Sequence, residues 1–171
     1  MQSGARGTAG AAIDGAVSLF EPVTLDELDG VLVDRLDTKY LLAAEAIPEL
    51  LAALAGPYRV LDIDGERVHG YETVYFDTPA FDLYRAHHAG RPNRYKVRSR
   101  RYGTTGKAVL EVKQRMKRSR TVKRRMAMPG LVHVLDEPAR SFIAEAIAGA
   151  PPATLVPRLE CTFSRVTLAD A

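Results

Sequence analysis

Three consecutive segments of this chain alternate charged and apolar residues with a period of two. Residues 94–102 place a cation at every second position from Arg94, and residues 109–115 and 121–125 continue the pattern. Because alternate side chains of a β-strand point to the same face, this spacing predicts three strands with cations along one side. Short turns at 103–106 and 117–119 would join these strands into an antiparallel sheet.

The rest of the chain predicts further strands and helices, separated by Gly, Pro and Asp signals. Strands are expected at 31–42, 58–63, 71–76 and 155–168, and helices at 43–55, 80–89 and 136–148. A short helix would follow Thr24, whose capping box is completed by Glu27. Residues 1–20 lack periodicity and are expected to form a flexible N-terminal tail before one domain at 21–171. Together these elements predict the α+β class.

Charge is distributed very unevenly along the chain. Residues 91–125 hold 15 of the 24 Lys and Arg residues and a single acid, Glu111, which gives this stretch a net charge of +14. The remainder holds nine cations and 20 acids, a net charge of −11. Like charges on neighbouring strands repel, and an ordinary solvated face mixes both signs. Such a segregated field indicates a polyanionic partner.

Composition limits the cell compartments and the classes of functional site that we expect for this protein. The single cysteine, Cys161, cannot form an internal disulfide and fits a reducing cytoplasm. No apolar run approaches the ~20 residues of a membrane helix. The sequence has no Cys cluster, Gly-rich phosphate loop or nucleophile elbow, and no motif typical of nucleic-acid binding. Two interpretations of the cations stay open: solvated sheet faces, or the lining of a barrel or groove.

Five motifs occur in a fixed order along the chain. They are Arg35-Leu-Asp-Thr-Lys39-Tyr40, Tyr75-Phe-Asp-Thr-Pro79, Lys96-Val-Arg-Ser-Arg100, Leu110-Glu-Val-Lys113 and Lys123-Arg-Arg125. In this order and spacing they resemble the VTC domain of polyphosphate polymerases, within the triphosphate tunnel metalloenzyme (CYTH-like) superfamily. The likeness runs from about Thr24 to Leu168. It implies an antiparallel β-barrel, a tunnel flanked by helices, whose basic interior grips triphosphate or polyphosphate.

Carried over position by position, the resemblance assigns phosphate contacts to basic residues on successive strands. It implies catalytic roles for Lys39, Arg98, Arg100 and Lys113. It implies substrate binding by Arg35, Arg94, Lys96, Lys123, Arg125 and Arg165. Family members use a divalent metal, Mn²⁺ or Mg²⁺, and Glu111 and Asp37 are the acids expected near it. An ion pair with a neighbouring Lys or Arg is the other interpretation of each acid.

Two departures from the family pattern narrow the expected activity. Hydrolases of the superfamily begin with Glu-x-Glu-x-Lys, whereas Arg35 stands here at the first acid of that motif and Lys39 at its lysine. This favours the polymerase-like branch. Family members also continue past the strand of Arg165, whereas this chain ends at Ala171. We therefore expect the barrel to lack its last strands.

The expected function is transfer of the γ-phosphoryl group of ATP to a polyphosphate chain inside a basic tunnel. A non-catalytic module that binds polyphosphate or nucleotide and a metal-dependent triphosphatase are the alternatives. The expected partners are ATP and inorganic polyphosphate, without nucleic acid and without a membrane segment. The oligomeric state is left open, and the expected compartment is the cytoplasm.

Overall fold

The computed structural model describes residues 5–28, 38–116, 121–147 and 154–170. Its α-helices are α1 (Ala5–Val17), α2 (Leu25–Leu28), α3 (Ile47–Leu54), α4 (Asp82–His88) and α5 (Glu137–Ala146), and a 3₁₀ turn (Ala44–Ala46) precedes α3. Its strands are β1 (Pro22–Val23), β2 (Tyr58–Leu61), β3 (His69–Asp77), β4 (Arg94–Tyr102), β5 (Ala108–Arg115), β6 (Thr121–Met128), β7 (Val156–Arg165) and β8 (Leu168–Asp170). These elements confirm the predicted α+β class. None of the described helices is long and apolar enough to cross a membrane.

The chain divides into two compact units. The first contains Met1–His69 and Ser164–Ala171, and the second contains Gly70–Phe163. In the first unit, β2 pairs in parallel with β1 and antiparallel with β8 to form a three-stranded sheet. The predicted capping box opens α2, because the backbone N–H of Thr24 donates to Oε2 of Glu27 at 2.8 Å. Burial of apolar side chains against this small sheet holds the unit together.

Helix α1 occupies most of the segment that was expected to be a flexible tail. Its last turn contributes Ala16 and Val17 to a buried cluster, where Phe20 packs with Leu51 and Val60. Most of α1 consists of Ala and Gly. These residues carry too little apolar surface for a helical period to show in the sequence, so tertiary packing decides the conformation.

The strand predicted at 31–42 falls partly outside the described residues. Its described part, 38–42, is neither helix nor strand, and Tyr40 and Leu41 are 82% and 102% exposed. An alternating pattern forms a strand only where a neighbouring strand pairs with its backbone. No described strand pairs with 38–42. The prediction that Lys39 lies on a strand is therefore wrong, since Lys39 occupies an exposed irregular segment.

The second unit contains an open five-stranded sheet in the order β6-β5-β4-β3-β7. Strands β3, β4, β5 and β6 pair antiparallel in sequence, as their short connections predict. Strands β6 and β7 are the two edges of this sheet, so the described strands of the unit form an open sheet, which agrees with the expectation of an incomplete barrel. The period-two pattern nevertheless holds along β4 and β5. Alternate side chains of these strands face two different environments.

One face of this sheet is apolar and is covered by α5. Val97 and Leu110 are fully buried in a cluster that includes Ile143 of α5. The carboxylate of Asp136 caps this helix by accepting a hydrogen bond from the Ala139 N–H at 3.0 Å. Burying this face leaves the other face of β4, β5 and β6 to the charged residues, because adjacent residues of a strand alternate between faces.

The end of β3 fixes the start of α4 through Asp77. Its Oδ1 accepts hydrogen bonds from the backbone N–H groups of Thr78 at 2.7 Å and Leu83 at 2.9 Å. Its Oδ2 accepts from the N–H of Tyr84 at 2.9 Å. The bonds to Leu83 and Tyr84 satisfy donors that the first turn of a helix leaves free. The side chains at the start of α4 are thereby held at a fixed place beside the sheet.

We predict that truncating Leu110, which faces α5, costs much more stability than truncating its neighbour Val109, which lies on the other face. Leu110→Ala should lower the free energy of unfolding by about 2–5 kcal/mol, because it leaves a cavity in the core. Val109→Ala removes a half-buried side chain and should cost a small fraction of that. Urea unfolding of both variants measures the difference, and equal losses would contradict the assignment of the two faces.

Candidate functional site

The face of β4, β5 and β6 opposite α5 carries eight cations, which we call the cationic face. The strand register brings them onto one surface, with alternate positions of each strand side by side. The members are Arg94, Lys96, Arg98, Arg100, Lys113, Arg115, Lys123 and Arg125. Sequence alternation predicted this shared face. The structure adds which cations stand opposite one another.

Three lysines form a row directly across the cationic face, which we call the lysine row. Lys96 pairs in register with Lys113, and Lys113 pairs with Lys123. Directly opposed side chains on neighbouring strands have Cβ atoms about 4.5–5.5 Å apart. All three side chains are exposed, and none forms a salt bridge with a carboxylate in the described part of the chain. Burial and then the nearby charge of Arg125 lower the pKa of Lys123.

The next row of the cationic face contains a buried acid between two arginines. Arg98, Glu111 and Arg125 stand opposite one another on β4, β5 and β6. Arg98 donates through Nη2 to Oε1 of Glu111 at 2.5 Å, and Arg125 donates through Nε to Oε2 at 2.9 Å. Glu111 is only 1% exposed. Both of its oxygens therefore serve as acceptors for guanidinium groups.

Electrostatics keep this trio ionised. Burial favours the neutral form of Glu111, but the hydrogen bond from Arg125 and the charge of Arg98 outweigh it and hold the pKa of Glu111 below its ordinary value. Burial likewise opposes the charge of Arg98, and the carboxylate of Glu111 reverses this effect and raises the pKa of Arg98. The trio carries one net positive charge. Within the trio, Glu111 fixes the orientation of the guanidinium groups of Arg98 and Arg125.

Arg100 is held by aromatic rings and a hydroxyl group. Its Nε donates to Oγ1 of Thr73 at 3.1 Å, and its guanidinium carbon lies 5.2 Å from the ring centroid of Tyr71. The same carbon lies 5.5 Å from the ring centroid of Phe163, which stacks on Tyr71 at 5.0 Å. Such cation–π contacts orient an arginine without neutralising it. Burial and the charge of Arg98 lower the pKa of Arg100.

The aromatic partners of Arg100 were not among the residues singled out from the sequence. Tyr71, Thr73 and Tyr75 share one face of β3 by their spacing, and this face continues the cationic face across β4. The hydroxyl group of Tyr75 also accepts a hydrogen bond from Nη1 of Arg98 at 3.4 Å. The period-two spacing of Tyr71, Thr73 and Tyr75 in the sequence could have identified them as residues that share one face of a strand. Phe163 lies too far along the chain for any local pattern to connect it with Arg100.

The structure brings together eight of the twelve predicted site residues. Seven are cations of the cationic face and the eighth is Glu111. Lys39 and Arg165, the last residue of β7, belong to the first compact unit. Arg35 and Asp37 lie outside the described residues. The individual roles of all twelve stay predictions.

The described residues do not fit a divalent metal site on the cationic face. Glu111 is the acid expected there, and Arg98 and Arg125 already occupy both of its oxygens. Ca²⁺, Mg²⁺ and similar ions need several free oxygen ligands. Within the described ranges no group of three or more His, Cys, Asp or Glu residues could hold an ion. The contacts of Glu111 agree with the other interpretation of this residue, an ion pair with neighbouring arginines.

Comparison with protein families places the chain in a known family. A family model described as VTC domain matches residues 34–143, which is more than half of the chain and includes the whole cationic face. No curated protein matches the chain significantly.

We predict that Glu111 stabilises the protein in a pH-dependent way. Glu111→Gln should lower the free energy of unfolding by roughly 1–3 kcal/mol at pH 7, because it leaves the partly buried Arg98 and its neighbour Arg125 without a counter-charge. A carboxylate with a lowered pKa contributes its stability above its ordinary pKa of 4.5. That contribution is lost as the pH falls through the lowered pKa. The difference between wild type and Glu111→Gln should therefore shrink in acid.

Urea unfolding at several pH values measures this difference. Glu72→Gln is the matched control, since Glu72 forms an exposed salt bridge with Arg101 at 2.6 Å. Its loss should change stability by less than about 1 kcal/mol. A pH dependence that Glu111→Gln leaves unaltered would contradict the role of this ion pair.

Proposed function

The chain belongs to the VTC domain family, and from this premise we propose that its cationic face binds the phosphate chain of a nucleotide or of polyphosphate. Family membership indicates a function related to polyphosphate polymerases. We propose more specifically that the domain transfers the γ-phosphoryl group of ATP to a polyphosphate chain. The observation that carries this proposal is the lysine row beside the Arg98–Glu111–Arg125 trio.

The lysine row is suited to an extended polyanion. Neighbouring strands lie about 4.7–4.9 Å apart, so the side chains of Lys96, Lys113 and Lys123 leave the sheet at about that interval. A phosphate chain carries negative charge on every unit and can contact several of these groups at once. Because the described residues supply no carboxylate partner to the row, an external anion would relieve the mutual repulsion of the lysines.

The arginines add directional contacts to this charge. A guanidinium group presents N–H donors in a planar fork that suits phosphate oxygens. Glu111 holds Arg98 and Arg125 in place, while Thr73 and two aromatic rings hold Arg100. Donors that are already ordered lose little conformational entropy when a ligand binds.

In the proposed transfer, a terminal oxygen of the polyphosphate chain attacks the γ-phosphorus of ATP. The bond from that phosphorus to the β–γ bridging oxygen breaks, the chain grows by one phosphate, and ADP leaves with the bridging oxygen. Such a step asks the protein for alignment and for neutralisation of charge on non-bridging oxygens. Arg98, Arg100 and Lys113 are the residues to which we assign these tasks. The divalent metal implied by the resemblance stays a prediction, and no contact described above depends on it.

A non-catalytic polyphosphate-binding module is the second candidate. The contacts of Glu111 favour it, because each oxygen of this buried acid already accepts a hydrogen bond from an arginine, and its lowered pKa makes it a weak base. In this case the cationic face would bind phosphate chains with the same residues and without turnover. The two candidates therefore share one binding surface and differ only in chemistry.

Incubation of the protein with ATP, a short polyphosphate primer and Mn²⁺ or Mg²⁺ tests the catalytic proposal. A polymerase produces longer polyphosphate chains together with an equal amount of ADP. Release of free phosphate without chain growth would instead indicate a triphosphatase. Binding of polyphosphate without any turnover would overturn the transfer and support the binding module.

We predict that Lys113→Ala weakens polyphosphate binding roughly three- to tenfold at low ionic strength, because the central lysine of the row is lost. The decline of affinity with added salt should also become less steep, since fewer charges take part. Titration calorimetry with a polyphosphate of defined length measures both effects.

Arg124→Ala is the matched control for this change. Arg124 lies on β6 opposite Val112, on the other face of the sheet, and donates to the backbone carbonyl of Glu145 at 3.2 Å. The substitution Arg124→Ala removes one positive charge, as Lys113→Ala does. It should leave the affinity for polyphosphate nearly unaltered. Equal losses in the two variants would show that net charge, and not the cationic face, determines binding.

A further inference from the structure

A cavity of about 730 Å³ lies in the second unit, where β3 ends and α4 begins. Its volume falls within the range of clefts that hold small organic ligands. The walls come from β3, α4 and β4, with a contribution from Arg158 and Leu159 of β7. The phosphate-binding role proposed above uses Lys96 and leaves most of the other lining residues without a function.

Aromatic and aliphatic side chains dominate the lining. Phe81, Tyr84 and Leu159 line the cavity and are 38%, 64% and 59% exposed. Exposed apolar groups that gather around one hollow are typical of a binding site. The guanidinium carbon of Arg158 lies 4.0 Å from the ring centroid of Phe81, which places a planar cation at the wall.

The backbone holds Phe81 in an unfavourable conformation. Its φ angle is +60°, in the left-handed region that bulky side chains rarely adopt. Hydrogen bonds keep it there, since its N–H donates to the carbonyl of Thr78 at 3.0 Å and its own carbonyl accepts from the N–H of Arg85 at 2.9 Å. Strain of this kind persists where surrounding structure maintains it, and it often occurs at ligand sites.

Two residues connect the cavity with the cationic face. Lys96 lines the cavity and is also the first member of the lysine row. Tyr75 lines the cavity too, and its hydroxyl group contacts Arg98 at 3.4 Å. A ligand in the cavity is therefore next to the proposed phosphate site. Such a ligand would need a flat apolar end and an anionic end.

We propose that this cavity holds the base of a nucleoside triphosphate whose phosphates lie on the lysine row. The inference rests on the phosphate-binding role proposed for the cationic face and adds the element that distinguishes a nucleotide from a bare phosphate chain. An aromatic base stacks on the ring of Tyr84 and on the plane of the Arg158 guanidinium group, which Phe81 supports from its other side. Inorganic polyphosphate has no group that benefits from this lining. An apolar peptide would leave Lys96 without a counter-charge.

The test compares ATP with inorganic tripolyphosphate, which has the same phosphates and no base. Both are titrated by calorimetry into wild type and into Tyr84→Ala, at one fixed Mg²⁺ concentration. Tyr84→Ala should weaken ATP binding on the order of tenfold, as is usual for loss of a stacking ring. It should leave tripolyphosphate binding unaltered. Tyr84→Phe, which keeps the ring, should bind ATP like wild type.

The outcomes separate this inference from the proposed function. If Tyr84→Ala leaves ATP binding unaltered, or weakens ATP and tripolyphosphate equally, the base does not occupy the cavity. Lys113→Ala tests the phosphate site independently, because it should weaken both ligands. If Lys113→Ala weakens neither, the phosphate-binding role itself fails, whatever Tyr84→Ala does. Because Tyr84 is mostly exposed, its replacement should not prevent folding.

Discussion

The carboxylate of Glu111, buried between two guanidinium groups, is the interaction on which the cationic face depends. A buried carboxylate is strongly unfavourable unless it is paired and hydrogen-bonded. Here the register of three strands places Arg98 and Arg125 on either side of it, and each arginine donates to a different oxygen. The ion pairs therefore tie β4, β5 and β6 together on the side that α5 does not cover. They also fix two arginines in position for a ligand.

The contrast between neighbouring rows explains why this face fits a polyanion. The row of Glu111 contains its own counter-charge, whereas the lysine row beside it has none among the described residues. Two unit charges ~5 Å apart repel by roughly 1 kcal/mol in bulk water and by roughly 3 kcal/mol at an effective dielectric constant of 20. The free energy gained by burying the apolar face of the sheet against α5 offsets this repulsion. A bound phosphate chain would convert the repulsion into attraction.

Local patterns predicted the parts of the fold that depend on local geometry. Period-two alternation identified which residues of β4 and β5 share a face, and capping chemistry identified the start of α2 at Thr24. The register between strands was not predictable in the same way. Alternation alone cannot say that Glu111 lies between Arg98 and Arg125 and not between Lys96 and Lys123, because a shift of two residues preserves every face.

Other features were missed because distant parts of the chain determine them. The Ala- and Gly-rich helix α1 is stabilised by packing against α3 and β2, which its own sequence does not show. The segment around Lys39 alternates like a strand but has no described pairing partner. The stacking of Phe163 on Tyr71 joins residues far apart in sequence, and only the order of strands in the sheet brings them together.

The most direct test of the central claim is the reactivity of individual lysines with and without tripolyphosphate. An amine-selective reagent followed by peptide mass spectrometry reports the protection of each side chain. We expect tripolyphosphate to protect Lys96, Lys113 and Lys123, all of which are exposed in the structure. Lys107, an exposed lysine just before β5 and outside the lysine row, should react equally in both conditions. Equal protection of Lys107 and the three lysines of the row, or no protection of the row, would contradict the account.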